Sequence, residues 1–143
     1  MDSFQSFPKP IQRQIATLAE AANVYLPSGT DKIILYPNPL STHASLIGFI
    51  AWRQIDETEA ELLAIAVHSA QRQKGIGRLL LENLLHHCKL IAVKQLFLEV
   101  RKSNLAAQTL YHHQGFTIVG TRKNYYLCDQ GFEDAYVMKR TFL

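Results

Sequence analysis

Apolar residues recur at helical spacing over about residues 10–26, where Ile11, Ile15, Leu18 and Ala22 form one stripe. Pro10 suits a first helical turn, and Pro27-Ser28-Gly29 ends the run. The period then changes. Ile33 to Tyr36 reads as a short strand stopped by Pro37-Asn38-Pro39, and Leu46 to Trp52 as a longer strand. Residues 59–67 predict a third strand ending in the run LLAIAV. An apolar run without a polar break suits a strand buried on both faces. After a polar loop, Ile76, Leu80, Leu84, Cys88 and Ile91 restore the helical period between Gly75 and Ile91. Leu96 to Arg101 alternates, with Leu96, Leu98 and Val100 facing one way and Phe97, Glu99 and Arg101 the other. Ser103 or Asn104 caps a third helix that runs to His113 and stops at Gly115. Phe116 to Gly120 and Glu133 to Arg140 read as final strands, with Asn124-Tyr125-Tyr126 and Asp129-Gln130-Gly131 in the hairpin loop between them.

The order is α-β-β-β-α-β-α-β-β. The strand-helix-strand unit over residues 62–100 predicts a parallel pair with a right-handed crossover, flanked by antiparallel hairpins. A chain of 143 residues is one domain and leaves no room for a separate substrate domain. Hydrophobic residues at 48% and charged ones at 19% exclude a disordered chain. The net charge of +3 comes from scattered basic residues rather than a basic stripe with interleaved aromatics, which argues against nucleic acid as a partner. Its small groups, Arg72/Lys74/Arg78, Arg101/Lys102 and Arg122/Lys123, read as solvated surface or as a local seat for an anion. Cys88 and Cys128 fit no metal or redox spacing and read as reduced thiols of a cytoplasmic protein. The start lacks the apolar core of a signal peptide, and the apolar runs are too short to span a membrane.

The most informative segment is Arg72-Gln73-Lys74-Gly75-Ile76-Gly77-Arg78. It follows a buried strand and opens a helix. A helix start presents unpaired N–H groups and a positive dipole end, and glycines let a ligand approach them. Together these make a pyrophosphate seat; a glycine-rich cap of a helix on a sheet reads equally well from local physics. The chain has no Gly-x4-Gly-Lys-Ser/Thr string, and Gly75-x-Gly77-x-x is followed by Leu80, so neither a P-loop nor a Rossmann fingerprint fits.

This R/Q-x-x-G-x-G/A pattern between a buried strand and a helix resembles the coenzyme A loop of the GNAT acetyltransferase superfamily. The likeness extends through Leu98-Glu-Val-Arg-Lys-Ser-Asn104, Ala106-Ala107, Leu110-Tyr111, Gly115-Phe116, Arg122 to Tyr126, and Gly131 to Met138. Among its branches the chain is most similar to the bacterial ribosomal-protein-alanine N-acetyltransferase group. The resemblance covers about residues 60–140, a coenzyme-binding and catalytic part. Residues 1–56, the acceptor-side part, match less well and lack that group's usual Pro-Trp segment.

The resemblance implies an α/β fold of the GNAT acyltransferase type, with a mixed twisted sheet. A central parallel pair would splay around the coenzyme, and helices would cover both faces. It implies direct transfer from acetyl-CoA to an amine in a ternary complex, with a protein or peptide N-terminus as acceptor and no metal. By resemblance, the backbone of Ile65, Ala66 and Val67 pairs with the pantetheine arm and offers an N–H to the thioester oxygen. Arg72 to Arg78 hold the pyrophosphate, and Asn104 bonds the pantetheine end. Asn104 is equally readable as a plain N-cap.

Acetyl transfer also needs a deprotonated amine and a protonated leaving thiol. At pH 7, freeing an α-amino group costs about 1.4 kcal/mol and freeing a lysine about 4.6 kcal/mol. A carboxylate in reach can take that proton. Glu99 is a lone acid in the strand LFLEV and matches the group's general base; as a purely structural residue it would partner Arg101 or face solvent. Tyr111 matches the group's proton donor, although it shares a helix side with Ala107 and Leu110 and could simply pack. Tyr125 and Tyr126 would line the peptide groove. The pairs His86-His87 and His112-His113 point to different helix sides and predict no metal site. Two other readings compete: a GNAT enzyme for a small-molecule amine, and a non-catalytic coenzyme A-binding module. The oligomeric state is not written in the pattern.

Overall fold

A computed structural model describes residues 1–38 and 45–143. Its elements are α1 (Lys9–Ala22), β1 (Lys32–Tyr36), β2 (Gly48–Gln54), β3 (Glu59–Val67), α2 (Ile76–Leu90), β4 (Gln95–Arg101), α3 (Leu105–His113), β5 (Thr117–Cys128) and β6 (Gly131–Thr141), with single 3-10 turns at Phe4–Ser6 and Ser69–Gln71. This is the element order expected from the hydrophobic pattern. Pro39, the second proline read as a stop for β1, lies outside the described residues.

The strands form one sheet in the order β1-β2-β3-β4-β6-β5. Its neighbours pair antiparallel except β3 and β4, the parallel pair joined through α2. Helices cover both faces. On one face α1 buries Ile15, Leu18 and Ala19 against Ile33, Phe49, Ala51, Ala64 and Ala66. On the other, α2 buries Leu80, Leu81, Leu84 and Leu85 against Ile50, Trp52, Leu62, Leu96 and Leu98, and α3 adds Tyr111 beside Phe116. Each fully buried leucine contributes about 1.5–3 kcal/mol of transfer free energy. Helix α1 stops at Ala22 rather than Leu26, because Asn23 takes a left-handed conformation (φ 53°) and its N–H closes back on Ala19 and Glu20.

Two irregularities shape the cleft. In β3, Ala51 pairs with Ala64 and Trp52 with Leu62, so Leu63 is left without a partner. This bulge shifts the alternation by one. Ala60 and Leu62 belong to the α2 core, whereas Ala64 and Ala66 belong to the α1 core. The parallel ladder between β3 and β4 spans Glu59–Glu61 and Gln95–Phe97 and then ends. Past that point the strands part, with a cleft of about 1360 Å³ between them.

The second irregularity corrects the expected hairpin loop. β5 runs on to Cys128 and β6 begins at Gly131, so the turn is Asp129-Gln130 alone. Arg122 pairs with Ala135 and Tyr126 with Glu133, leaving Lys123, Asn124 and Tyr125 as a bulge within the strand. Asn124 adopts φ 54°, a conformation asparagine tolerates, and its N–H donates to Asp134 Oδ1 at 2.9 Å. The polar triplet that reads as a turn is therefore a kink, and it leaves Tyr125 half-exposed over the cleft.

Candidate active site

One side of the cleft is built from β3 and the start of α2. His68 N–H donates to Ile47 O at 2.7 Å, which makes that pair a hydrogen-bonded one in the β2–β3 ladder. Antiparallel pairs alternate. Ala66, opposite Phe49, therefore turns its N–H and C=O toward β2, while Ile65 and Val67 turn theirs toward the cleft. Of the expected pantetheine-pairing run, Ile65 and Val67 present backbone and Ala66 does not. Gly48 lies so close beneath that an added Cβ would meet Ala66 O at 2.9 Å.

The loop into α2 turns on left-handed residues: Gln73 has φ 62° and Gly75, the N-cap, φ 80°. The first helical bond runs from Leu79 N–H to Gly75 O at 2.9 Å. The N–H groups of Ile76, Gly77 and Arg78 thus have no acceptor within the helix, and they open on the cleft. No side chain of Gly77 stands in their way. Arg72 Nε donates to Val67 O at 3.2 Å, Lys74 Nζ to Gln71 Oε1 at 3.0 Å and Arg78 Nε to Glu82 Oε1 at 2.7 Å, all near the surface. Lys74 is the loop residue that does not line the cleft. Asn104 caps α3, its Oδ1 accepting from Ala107 N–H at 3.1 Å, and still lines the cleft. The cap uses the oxygen of Asn104 and not its amide nitrogen.

Glu99 and Tyr111 line the same cleft from its β4 and α3 walls. Tyr111 is buried, and burial pushes its hydroxyl well above the ordinary tyrosine value. Glu99 is mostly covered, its side chain 18% exposed. Its Oε1 accepts from Arg122 Nη1 at 2.5 Å. Its Oε2 is buried with no donor among the described residues. The expected structural partner, Arg101, instead pairs with Glu133 at 3.5 Å and lies 4.2 Å over the Tyr126 ring. The Tyr126 hydroxyl donates to Glu99 O at 3.4 Å and is pushed up to about 12, by burial first and then by Glu99 and Tyr125. Tyr125 and Tyr126 meet edge to face at 4.9 Å.

Sequence reading missed two contributors. Arg122 reads as surface charge, yet it spans β6 to reach Glu99, because β6 lies between β4 and β5. Tyr25 sits in the connection after α1 and lines the cleft, its hydroxyl donating to the buried Asp31 at 2.9 Å. A tyrosine and an aspartate flanking Pro27-Ser28-Gly29 was the available signal. Glu61, one of the alternating acids Glu57, Glu59 and Glu61, also lines the cleft and holds Arg53 at 2.8 Å.

Comparison with known proteins gives a consistent picture. A model of the acetyltransferase (GNAT) family matches residues 13–116. The ribosomal protein bS18-alanine N-acetyltransferase of Salmonella typhimurium is 41% identical over 103 residues, covering 72% of this chain and 70% of that protein. The N-alpha-acetyltransferase RimI of Mycobacterium tuberculosis is 38% identical over 99 residues, covering 67% and 60%. Among solved structures, the ribosomal-protein-S18-alanine N-acetyltransferase from Escherichia coli superposes with a TM-score of 0.78 at 27% identity, covering 95% of this chain and 90% of that one.

Proposed function

This chain belongs to the acetyltransferase (GNAT) family and is an N-acetyltransferase that uses acetyl-CoA; we propose that its acceptor is the N-terminal α-amino group of a protein, with a ribosomal protein beginning in alanine as the leading candidate. The acceptor assignment draws on the similarity to the bS18-alanine enzymes. The single observation that carries the mechanism is Glu99 Oε2, a buried carboxylate oxygen with no donor, in the wall of a cleft that Tyr111 also lines.

The residues fit the coenzyme. N–H groups at the start of α2 suit a pyrophosphate, and the cleft-facing backbone of Ile65, with the N–H of Val67, whose C=O is held by Arg72, suits an amide-bearing arm. Acetyl-CoA supplies an acetyl group activated as a thioester. Glu99 Oε2 takes the proton of the acceptor ammonium, directly or through a water. The freed nitrogen attacks the thioester carbonyl carbon, whose oxygen meets an N–H of the β3 edge. The carbon–sulfur bond breaks, the Tyr111 hydroxyl gives its proton to the departing sulfur, and the second proton released by the new amide nitrogen restores that hydroxyl. An α-amine suits this equipment, because its deprotonation at pH 7 asks for about 3 kcal/mol less than a lysine's. A ribosomal acceptor would place the work in the cytoplasm. Among the described residues no helix is long and apolar enough to cross a membrane, and no cluster of three potential metal ligands occurs.

The test is thiol release from acetyl-CoA with peptides beginning in Ala, Ser or Met against polyamines and free amino acids. The Ala peptide should be the best acceptor, and Glu99→Gln should lower kcat about 10²-fold or more while leaving acetyl-CoA affinity nearly unchanged. Turnover of small amines with none of any peptide would overturn the acceptor assignment. Full turnover in Glu99→Gln would overturn the role of that residue.

A further inference from the structure

Glu99 is held by one oxygen and open at the other. Oε1 is bonded to Arg122, while Oε2 is buried and lacks a donor. Arg122 makes a second contact at the same time: its guanidinium carbon lies 4.2 Å over the Tyr125 ring. The planar group is thus clamped between a ring on its face and a carboxylate on its edge, at the bulge that interrupts β5. A guanidinium can do both at once, whereas an ammonium supplies the charge without the plate. The Arg122 side chain is 54% exposed, and a pair with so exposed a partner adds little to folding stability. What the contact does fix is the rotation of the carboxylate.

We propose that Arg122 is a positioning residue for the acceptor amine: by holding Oε1 while it rests on Tyr125, it keeps Oε2 of Glu99 turned toward the incoming nitrogen. The proposal rests on the reading of Glu99 as the proton acceptor. It also gives Tyr125 a second duty, as the platform that seats the guanidinium. Loss of Arg122 removes the bond that fixes Oε1, and the carboxylate then samples rotations that do not face the amine. Such a loss falls on turnover rather than on coenzyme binding, whose proposed residues lie on β3, the loop and start of α2, and the cap of α3.

The experiment compares wild type, Arg122→Gln, Arg122→Lys, Glu99→Gln and the Glu99→Gln/Arg122→Gln double variant. Steady-state kinetics are read on an Ala-initiated peptide at saturating acetyl-CoA. Arg122→Gln should lower kcat about tenfold or more with the KM for acetyl-CoA unchanged, and Arg122→Lys should recover part of the loss. In the Glu99→Gln background, Arg122→Gln should change kcat by less than about twofold, because the group it positions is gone. Melting temperatures should stay close to wild type throughout. A kcat in Arg122→Gln equal to or above wild type overturns the proposal, as does an equal loss with and without Glu99. Full activity in Glu99→Gln instead removes the premise, and so marks the failure of the mechanistic reading rather than of the positioning role alone.

Discussion

Burial keeps the Tyr111 hydroxyl protonated far above neutral pH, with Tyr126 adding to the upward push. The hydroxyl thus keeps its proton throughout the working range, the form that the proposed mechanism asks of it. Tyr111→Phe should therefore lower kcat about 10²-fold, measured by thiol release, with acetyl-CoA affinity held. Tyr126 carries a second consequence. Its pKa is 10.0 in the ordinary state and about 12 in the fold, so folding favours the neutral ring. That contribution is complete below about pH 10 and is lost as pH rises through about 12, where the folded ring ionises as well. Urea midpoints between about pH 9 and about pH 11.5 should fall less steeply in Tyr126→Phe than in wild type. Period placed Glu99 as a lone acid in an alternating strand and Tyr111 as an aromatic on a helix, while the roles proposed for them came from the resemblance. Arg122 was not, because its partner lies two strands away across β6.

At the scale of elements, the start of α2 depends on Gly75. Its φ of 80° is a left-handed conformation, and an added Cβ would meet nothing within 4 Å. Gly75→Ala therefore costs conformation and not space, about 1–2 kcal/mol. The variant should melt lower and bind acetyl-CoA several-fold more weakly, read by thermal denaturation and titration; unchanged affinity would remove the loop from the coenzyme site. The helix and its loop were readable from pattern, since a period change and two glycines mark them. The bulge at Leu63 was hidden for a definite reason. Every position of LLAIAV is apolar, so a one-residue slip in facing leaves the pattern unaltered. At Asn124 the opposite happened: turn-forming residues sit inside a strand, where one left-handed asparagine makes a kink.

At the scale of the molecule, the first third is not an appendage to a catalytic part. Ile15, Leu18 and Phe49 form the core on one sheet face, and Tyr25 carries that region to the cleft wall. Parallel pairing and crossover were legible from order alone, but the width of the opening was not, because it depends on where pairing stops. That stop can be followed in time. Amides bonded to a neighbouring strand exchange their hydrogen slowly, and amides turned toward open solvent exchange fast. Along β3, residue-resolved exchange should alternate: fast at Ile65, slow at Ala66, fast at Val67. Saturating acetyl-CoA should slow the two fast amides and leave Ala66 nearly as it was. Coenzyme at about a hundred times its Kd should also raise folding stability by about 2.7 kcal/mol. If those two amides slow together, the cosubstrate lies in the gap of the sheet as an added strand, bonded along the edge that β4 leaves.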